Sequence, residues 1–185
     1  MKTVLKLFAL GLTGSILLNS CSKNETIPHD REFIAGQVYF VLKNHITLTE
    51  AQDLMDDLML TEFELRNFRY TTQTTFDSLT YFFDIFDNQQ YLSVFDIVYD
   101  QDLNTATFRN MWFTEITDSQ LPVWDSIIYN YSITEMFDAD SKRHGVIYVN
   151  EGQEQYWIEE LKKQDQIANA DLMYFVEPWC KTGQE

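Results

Sequence analysis

Most of the residues on which enzyme chemistry depends are scarce in this chain. It has 2 cysteines, 6 glycines, 3 prolines and 3 histidines in 185 residues. Two cysteines, Cys21 and Cys180, cannot build a disulfide framework. His29, His45 and His144 are scattered singly, so there is neither a zinc-binding helix nor a close-spaced histidine pair. With so few glycines no phosphate-cradling loop can be assembled, and Ser119 and Ser141 stand in no Gly-x-Ser-x-Gly elbow. No cofactor motif is present. Basic residues are also few: 13 Lys and Arg face 29 Asp and Glu, a net charge of −16. That balance excludes nucleic acid as a partner, because phosphate-dominated binding needs a basic patch. The longest apolar run, Leu7 to Leu18, is too short to span a bilayer, which takes ~20 residues.

Acidic residues are abundant, but their spacing points to turns. Asp100-Gln101-Asp102-Leu103-Asn104 opens like a calcium loop, yet the sixth place is Thr105 rather than Gly and the twelfth is Met111 rather than Glu. Asp138-Ala139-Asp140 departs in the same way, with Arg143 at the glycine place. Acid pairs occur throughout, so no two can be singled out for glycosidase chemistry. No catalytic or metal site is predicted, and the chain reads as a non-enzyme.

The N-terminus is the most specific signal. Lys2 and Lys6 precede the apolar run, which makes residues 1–20 a signal peptide. Leu18-Asn19-Ser20-Cys21 resembles the lipobox of bacterial lipoproteins. The resemblance implies cleavage before Cys21, acylation of that cysteine and a membrane anchor, since each buried acyl methylene contributes ~0.8 kcal/mol and more than one chain holds a protein stably. Ser22 rather than Asp at the next position implies the outer membrane. Removing residues 1–20 leaves 11 basic and 29 acidic residues, a net charge of −18. Cys180 would then be the only free thiol. Residues 21–32 are polar, contain Pro28 and lack periodicity, so they read as a tether. Ten such residues reach at most ~35 Å.

Residues 33–178 are predicted to form one globular α+β domain, with 179–185 as a tail. Val38 to Leu42 is β-branched and aromatic and reads as a buried strand. Thr47-Leu48-Thr49-Glu50 is a capping box with Ile46 and Ala51 as a hydrophobic staple, and Ala51, Leu54, Met55 and Leu58 give the core face of a helix. Thr61 to Tyr70 is the next strand. Leu79 to Phe113 is read as a three-strand meander of Tyr81–Phe86, Val94–Tyr99 and Thr105–Phe113. A helix over Gln89 to Asp100 is the competing reading. Thr117 to Leu121 repeats the Thr47 chemistry, but Pro122 favours a helix start at Asp118 or Ser119, and Trp124, Ile127, Ile128 and Tyr131 supply its core stripe. Together with the echo of Leu60–Phe63 in Ile133–Met136, this leaves open a degenerate tandem duplication with halves 33–108 and 109–178. Gly145 to Val149 is a strand, and Trp157, Ile158 and Leu161 face inward on the following helix, where Glu159 can pair with Lys163. Ala170 to Val176 is the last strand, before Pro178. Two strand-helix-strand units with short joints give a ferredoxin-like layout, an antiparallel sheet with helices on one face.

The segment Gly145 to Glu154, with Trp157, Ile158, Leu161, Ile167 and Ala170, resembles the second half of the propeptide-like inhibitors of subtilisin-type proteases. That family implies a ferredoxin-like fold in which the strand leads into a helix bracing the protease and the C-terminal tail lies in the substrate cleft. Here the tail would be Val176 to Cys180, where Pro178 and Trp179 depart from the pattern. Beside this stands the aromatic load, 4 Trp, 10 Tyr and 14 Phe. Trp124 and Trp157 belong to inward helix faces. Tyr70, Trp112 and Trp179 are the candidate contact residues for a protein or glycan, with burial under a second layer the alternative for Trp112. The expected protein is a lipid-anchored, outer-membrane binding module without catalytic activity. Inhibition of a subtilisin-type protease is the alternative function.

Overall fold

The computed structural model describes residues 32–137 and 142–175. The signal peptide, Cys21, nearly all of the tether, Asp138 to Asp140 and the tail with Trp179 lie outside the described residues. In chain order the elements are β1 (Phe33–Leu42), α1 (Leu48–Asp57), β2 (Phe63–Gln73), α2 (Leu79–Asp87), β3 (Leu92–Asp100), β4 (Thr105–Thr114), α3 (Leu121–Asn130), β5 (Thr134–Glu135), β6 (His144–Tyr148), α4 (Glu154–Lys162) and β7 (Ile167–Tyr174).

The seven strands among the described residues form one antiparallel sheet in the order β3-β4-β2-β6-β1-β7, with the two-residue β5 also paired to β2. β1-α1-β2 and β6-α4-β7 are the two halves of a ferredoxin-like unit. Their strands interleave in the order fourth, first, third, second, as that layout requires. Residues between β2 and β6 are an insertion that widens the sheet by β3 and β4 and adds α2 and α3. The halves 33–108 and 109–178 are therefore not separate bodies: their boundary cuts β4, and β1 of the first half lies between β6 and β7 of the second.

One helical layer covers one face. Phe40, Leu42, Phe68 and Phe113 of the strands share a single buried cluster with Leu54 of α1, Phe86 of α2, Trp124 of α3 and Leu161 of α4. The α1 cap is as expected: Glu50 N–H donates to Thr47 Oγ1 at 3.1 Å, and Thr47 N–H donates to the Glu50 carboxylate at 2.8 Å. Ile46 and Ala51 are both buried beside it. Glu154 at the start of α4 accepts from the Gly36 N–H at 2.7 Å, tying this helix to β1.

Three local expectations are corrected and one competing reading falls away. Tyr81–Phe86 lies in helix α2, because Phe82 and Phe86, one turn apart, both pack on Phe108 at ring distances of 5.4 and 5.0 Å. Val94 to Tyr99 is strand β3, so the helical alternative for Gln89 to Asp100 does not hold. α3 begins at Leu121. Gln120 Oε1 accepts from Thr117 N–H at 2.8 Å, which closes a turn ahead of the helix and leaves Pro122 in its first turn. Lys163 pairs with Glu160 rather than Glu159. The acidic loop after β3 is held by its own chemistry, since Asp100 Oδ1 accepts from the N–H groups of Asp102 and Leu103 at 2.9 and 3.1 Å.

Two compensating bulges set which side chains face which way. Between the pairs Leu65↔Phe113 and Phe68↔Met111, β2 carries one extra residue; between Phe68↔Met111 and Tyr70↔Phe108, β4 carries one. Asn67 and Asn110 lie at these points with φ of 65° and 53°, a region asparagine tolerates better than most residues. Because side chains alternate with period two, each bulge switches parity. Phe63 and Leu65 face the core before the first bulge, and Phe68, Tyr70 and Thr72 after it.

Candidate functional site

Side chains opposite the core stripe stand on the face of the sheet that no helix among the described residues covers. Register places Tyr39, Val146 and Glu64 in one row across β1, β6 and β2, and Val41, His144 and Arg66 in the next. Trp112 of β4 stands opposite the Arg66–Asn67 bulge, and Phe95 extends the face onto β3.

The centre of this face is a stack. The Arg66 guanidinium lies over the Trp112 ring at 4.3 Å from its centroid, and the Phe95 ring lies 4.5 Å from Trp112. Trp112 Nε1–H donates to Asn110 Oδ1 at 2.8 Å, so the bulge asparagine fixes the indole. Arg66 Nε donates to Glu64 at 2.7 Å, and the other Glu64 oxygen accepts from Tyr148 Oη at 2.6 Å. Tyr39 and His144 pack ring to ring at 5.4 Å beside this network. Each large side chain is thus held by a neighbour, which lowers the ordering cost of binding. Phe95, 56% exposed, forms the open rim.

Electrostatics follow from the neighbours. Burial, and next the carboxylate of Glu64, push the Tyr148 hydroxyl up to about 12. Burial also raises Tyr39. For His144 burial lowers the pKa, the Lys142 carbonyl opposes it, and Arg66 lowers it further. The imidazole is therefore neutral at neutral pH. Arg66, Arg69 and Arg109 belong to the outward positions of β2 and β4, with Glu64 paired to Arg66 and Asp96 opposite Arg109. The face offers aromatic surface, guanidinium donors and the carboxylates of Glu64, Asp96 and Asp171, which suits stacking and hydrogen bonding.

The candidate contact residues fare differently. Trp112 is half-buried on the open face, held by Arg66 and Phe95. Tyr70 is fully buried, with its ring 5.2 Å from Trp124 and 6.4 Å from Phe113, so it belongs to the core and not to a surface. The Asn67 bulge is the reason: it turns Tyr70 to the same side as Leu65. Trp179 lies outside the described residues. Arg66, Phe95, Tyr39, His144, Tyr148 and Glu64 were not singled out from sequence. Alternation opposite Val38, Phe40 and Leu42 was the available signal for Tyr39. His144, set aside from sequence as a single unclustered histidine, opens β6.

Elsewhere a buried ion pair joins Glu135 of β5 to Arg143, the residue before β6. Arg143, 1% exposed, pairs with Glu135 at 2.7 Å, donates to the carbonyls of Ile46 and Met136, and lies between the rings of Phe68 and Phe137. Burial pushes the Glu135 carboxyl up to about 7, opposed by Arg143. Among the described residues no helix is long and apolar enough to cross a membrane. No protein-family model, curated protein or solved structure matches this chain.

Proposed function

We propose that this chain is a lipid-anchored cell-envelope protein that binds a protein or glycan partner through the helix-free face of its sheet. The observation that carries the reading is the Arg66–Trp112–Phe95 stack, fixed from both sides by Asn110 and Glu64. Trp, Tyr and Arg dominate the energetics of binding surfaces when they are pre-positioned and can be desolvated. The lipobox-like run ending at Cys21 supplies the anchor, and the missing catalytic motifs favour binding over turnover. The test is to apply the full chain, with Trp112→Ala and Arg66→Ala beside it, to arrays of envelope proteins and glycans. Retention by the parent and loss in both variants is expected; equal retention of all three would contradict the reading. Incorporation of labelled palmitate by the parent and its absence in Cys21→Ala checks the anchor.

The interleaved β1-α1-β2 and β6-α4-β7 units favour a second reading, a propeptide-like inhibitor of a subtilisin-type protease. Slowing of such a protease by stoichiometric chain would support it. Rapid digestion of the chain without inhibition would dispose of it.

A further inference from the structure

The two outer strands of the sheet, β7 and β3, end it in different ways. At β7 the pairing with β1 shifts register twice, and the Asp171 carboxylate accepts from the Leu172 N–H at 2.8 Å, which occupies a backbone donor of that strand. Such bulges and charged side chains blunt an edge against further pairing. β3 carries no comparable device. Its nine residues pair with β4 without a register shift and include no proline, glycine or lysine. Among the described residues, Ser93 to Asp100 make no backbone hydrogen bond outside the ladder with β4. An outer strand of this length presents a second row of N–H and C=O groups to any chain that can lie beside it.

The surroundings define the chemistry of that chain. Phe95 and Val98 are exposed on β3, and the exposed Phe76 ring packs 5.6 Å from Tyr99 of the same strand. Residues 70–108, from the end of β2 to β4, hold six aspartates, Asp77, Asp84, Asp87, Asp96, Asp100 and Asp102, and no Lys, Arg or His. A second copy would bring the same six charges to the joint, and like charges across a strand pair are destabilising. A basic segment is complementary instead. Alternation adds a pattern to the charge. Asp96, Val98 and Asp100 point to the open face, while Ile97 and Tyr99 point to the helical side, where they are only partly buried. An added strand therefore gains most by turning basic residues to the first side and apolar residues to the second.

We propose that the outer edge of β3 receives an extended segment of a partner protein, with basic and apolar residues in alternation, as one more strand of the sheet. The inference rests on the reading that this chain binds a partner, and it selects a protein over a glycan because only a polypeptide supplies the matching ladder.

The probe is a blocked nine-residue peptide of alternating lysine and valine, as long as β3. It is titrated into the full chain at low salt while backbone amides are followed by NMR and hydrogen exchange. Two isomers, N-methylated on the lysines or on the valines, test the ladder, since an added strand turns only every second N–H toward β3. A glutamate–valine peptide tests the charge. Saturable binding of the lysine peptide is expected, with alternate amides between Ser93 and Tyr99 exchanging about 10-fold more slowly at a concentration about ten times its Kd. One methylated isomer should bind and the other should not, the glutamate peptide should not bind, and β7 should be unaffected. No saturable binding, equal behaviour of the two isomers, equal binding of the glutamate peptide, or protection at β7 instead would each overturn the assignment. So would outward β3 amides already protected in the free chain, as an edge filled by a second copy would show. Should strand addition fail while Trp112→Ala still loses the array partner, the reading of the open face stands and this inference alone falls.

Discussion

Replacing Gly145 by alanine should destabilise the protein through a clash that the sheet register makes unavoidable. Gly145 of β6 lies between Phe40 of β1 and Leu65 of β2. A methyl group there would sit 2.3 Å from Phe40 Cζ, 2.7 Å from its Cε1 and 2.6 Å from the Glu64 carbonyl oxygen. The carbonyl belongs to a paired strand, and the ring is fully buried, so neither can move aside freely. Overpacking of this kind costs ~1–3 kcal/mol, offset by ~0.4–1 kcal/mol from the reduced freedom of the unfolded chain. A net loss of about 1–2 kcal/mol should lower the midpoint of thermal unfolding by roughly 2–8 °C. Urea denaturation followed by circular dichroism measures it. Phe40→Leu removes the two clashing ring atoms, so the double variant should recover part of the loss, with a coupling of about 1 kcal/mol. An unchanged or raised stability in Gly145→Ala, or strict additivity with Phe40→Leu, would refute the packing of Phe40 on β6.

Other outcomes follow from the same structure. Thr47→Ala removes the acceptor for the Glu50 N–H and should cost ~1 kcal/mol in a denaturation experiment. Arg143→Met leaves Glu135 buried without its partner and should cost ~3–5 kcal/mol above neutral pH. Glu135 sits at about 7 against an ordinary 4.5, so the folded state holds an extra proton between those values. Its contribution is complete at low pH, falls as pH rises from about 4.5 to 7, and is flat above; Glu135→Gln should abolish that slope in pH-dependent urea titrations. His144 should titrate below its ordinary 6.5 by NMR, so its contribution to stability is lost as pH falls through that range, and Arg66→Ala should raise its pKa. Trp112→Ala should cost less stability than Tyr70→Ala, for which ~3–5 kcal/mol is expected of a buried aromatic.

What could be read from sequence was what local chemistry dictates. Thr47 and Glu50 cap α1 through bonds three residues apart, and their pattern is visible without tertiary context. The second half of β1 was legible from its β-branched and aromatic run, α4 from helical spacing that matches burial, and most of β7 from the apolar stretch ahead of Pro178. The α+β class and the ferredoxin-like layout followed from those pieces. α2 was not, because Tyr81 to Phe86 carries strand-forming aromatics throughout, and only the packing of Phe82 and Phe86 on β4 selects the helix. The open face escaped for a different reason. Plain alternation along β2 carries Leu65 and Tyr70 to opposite sides, and a one-residue bulge at Asn67 brings them together while leaving Arg66 to meet Trp112. Asparagine inside two otherwise strand-forming runs, at positions 67 and 110, was the one available hint.

The central claim is that the helix-free face is where this protein meets its partner. The most direct measurement is the affinity of the full chain, Trp112→Ala and Tyr129→Ala for whichever envelope protein or glycan the parent retains. Tyr129, 84% exposed on α3, is the control aromatic away from that face. The account predicts a loss of ~2 kcal/mol or more, at least about 30-fold, in Trp112→Ala and none in Tyr129→Ala. Unchanged binding in Trp112→Ala, or a loss confined to Tyr129→Ala, would contradict it.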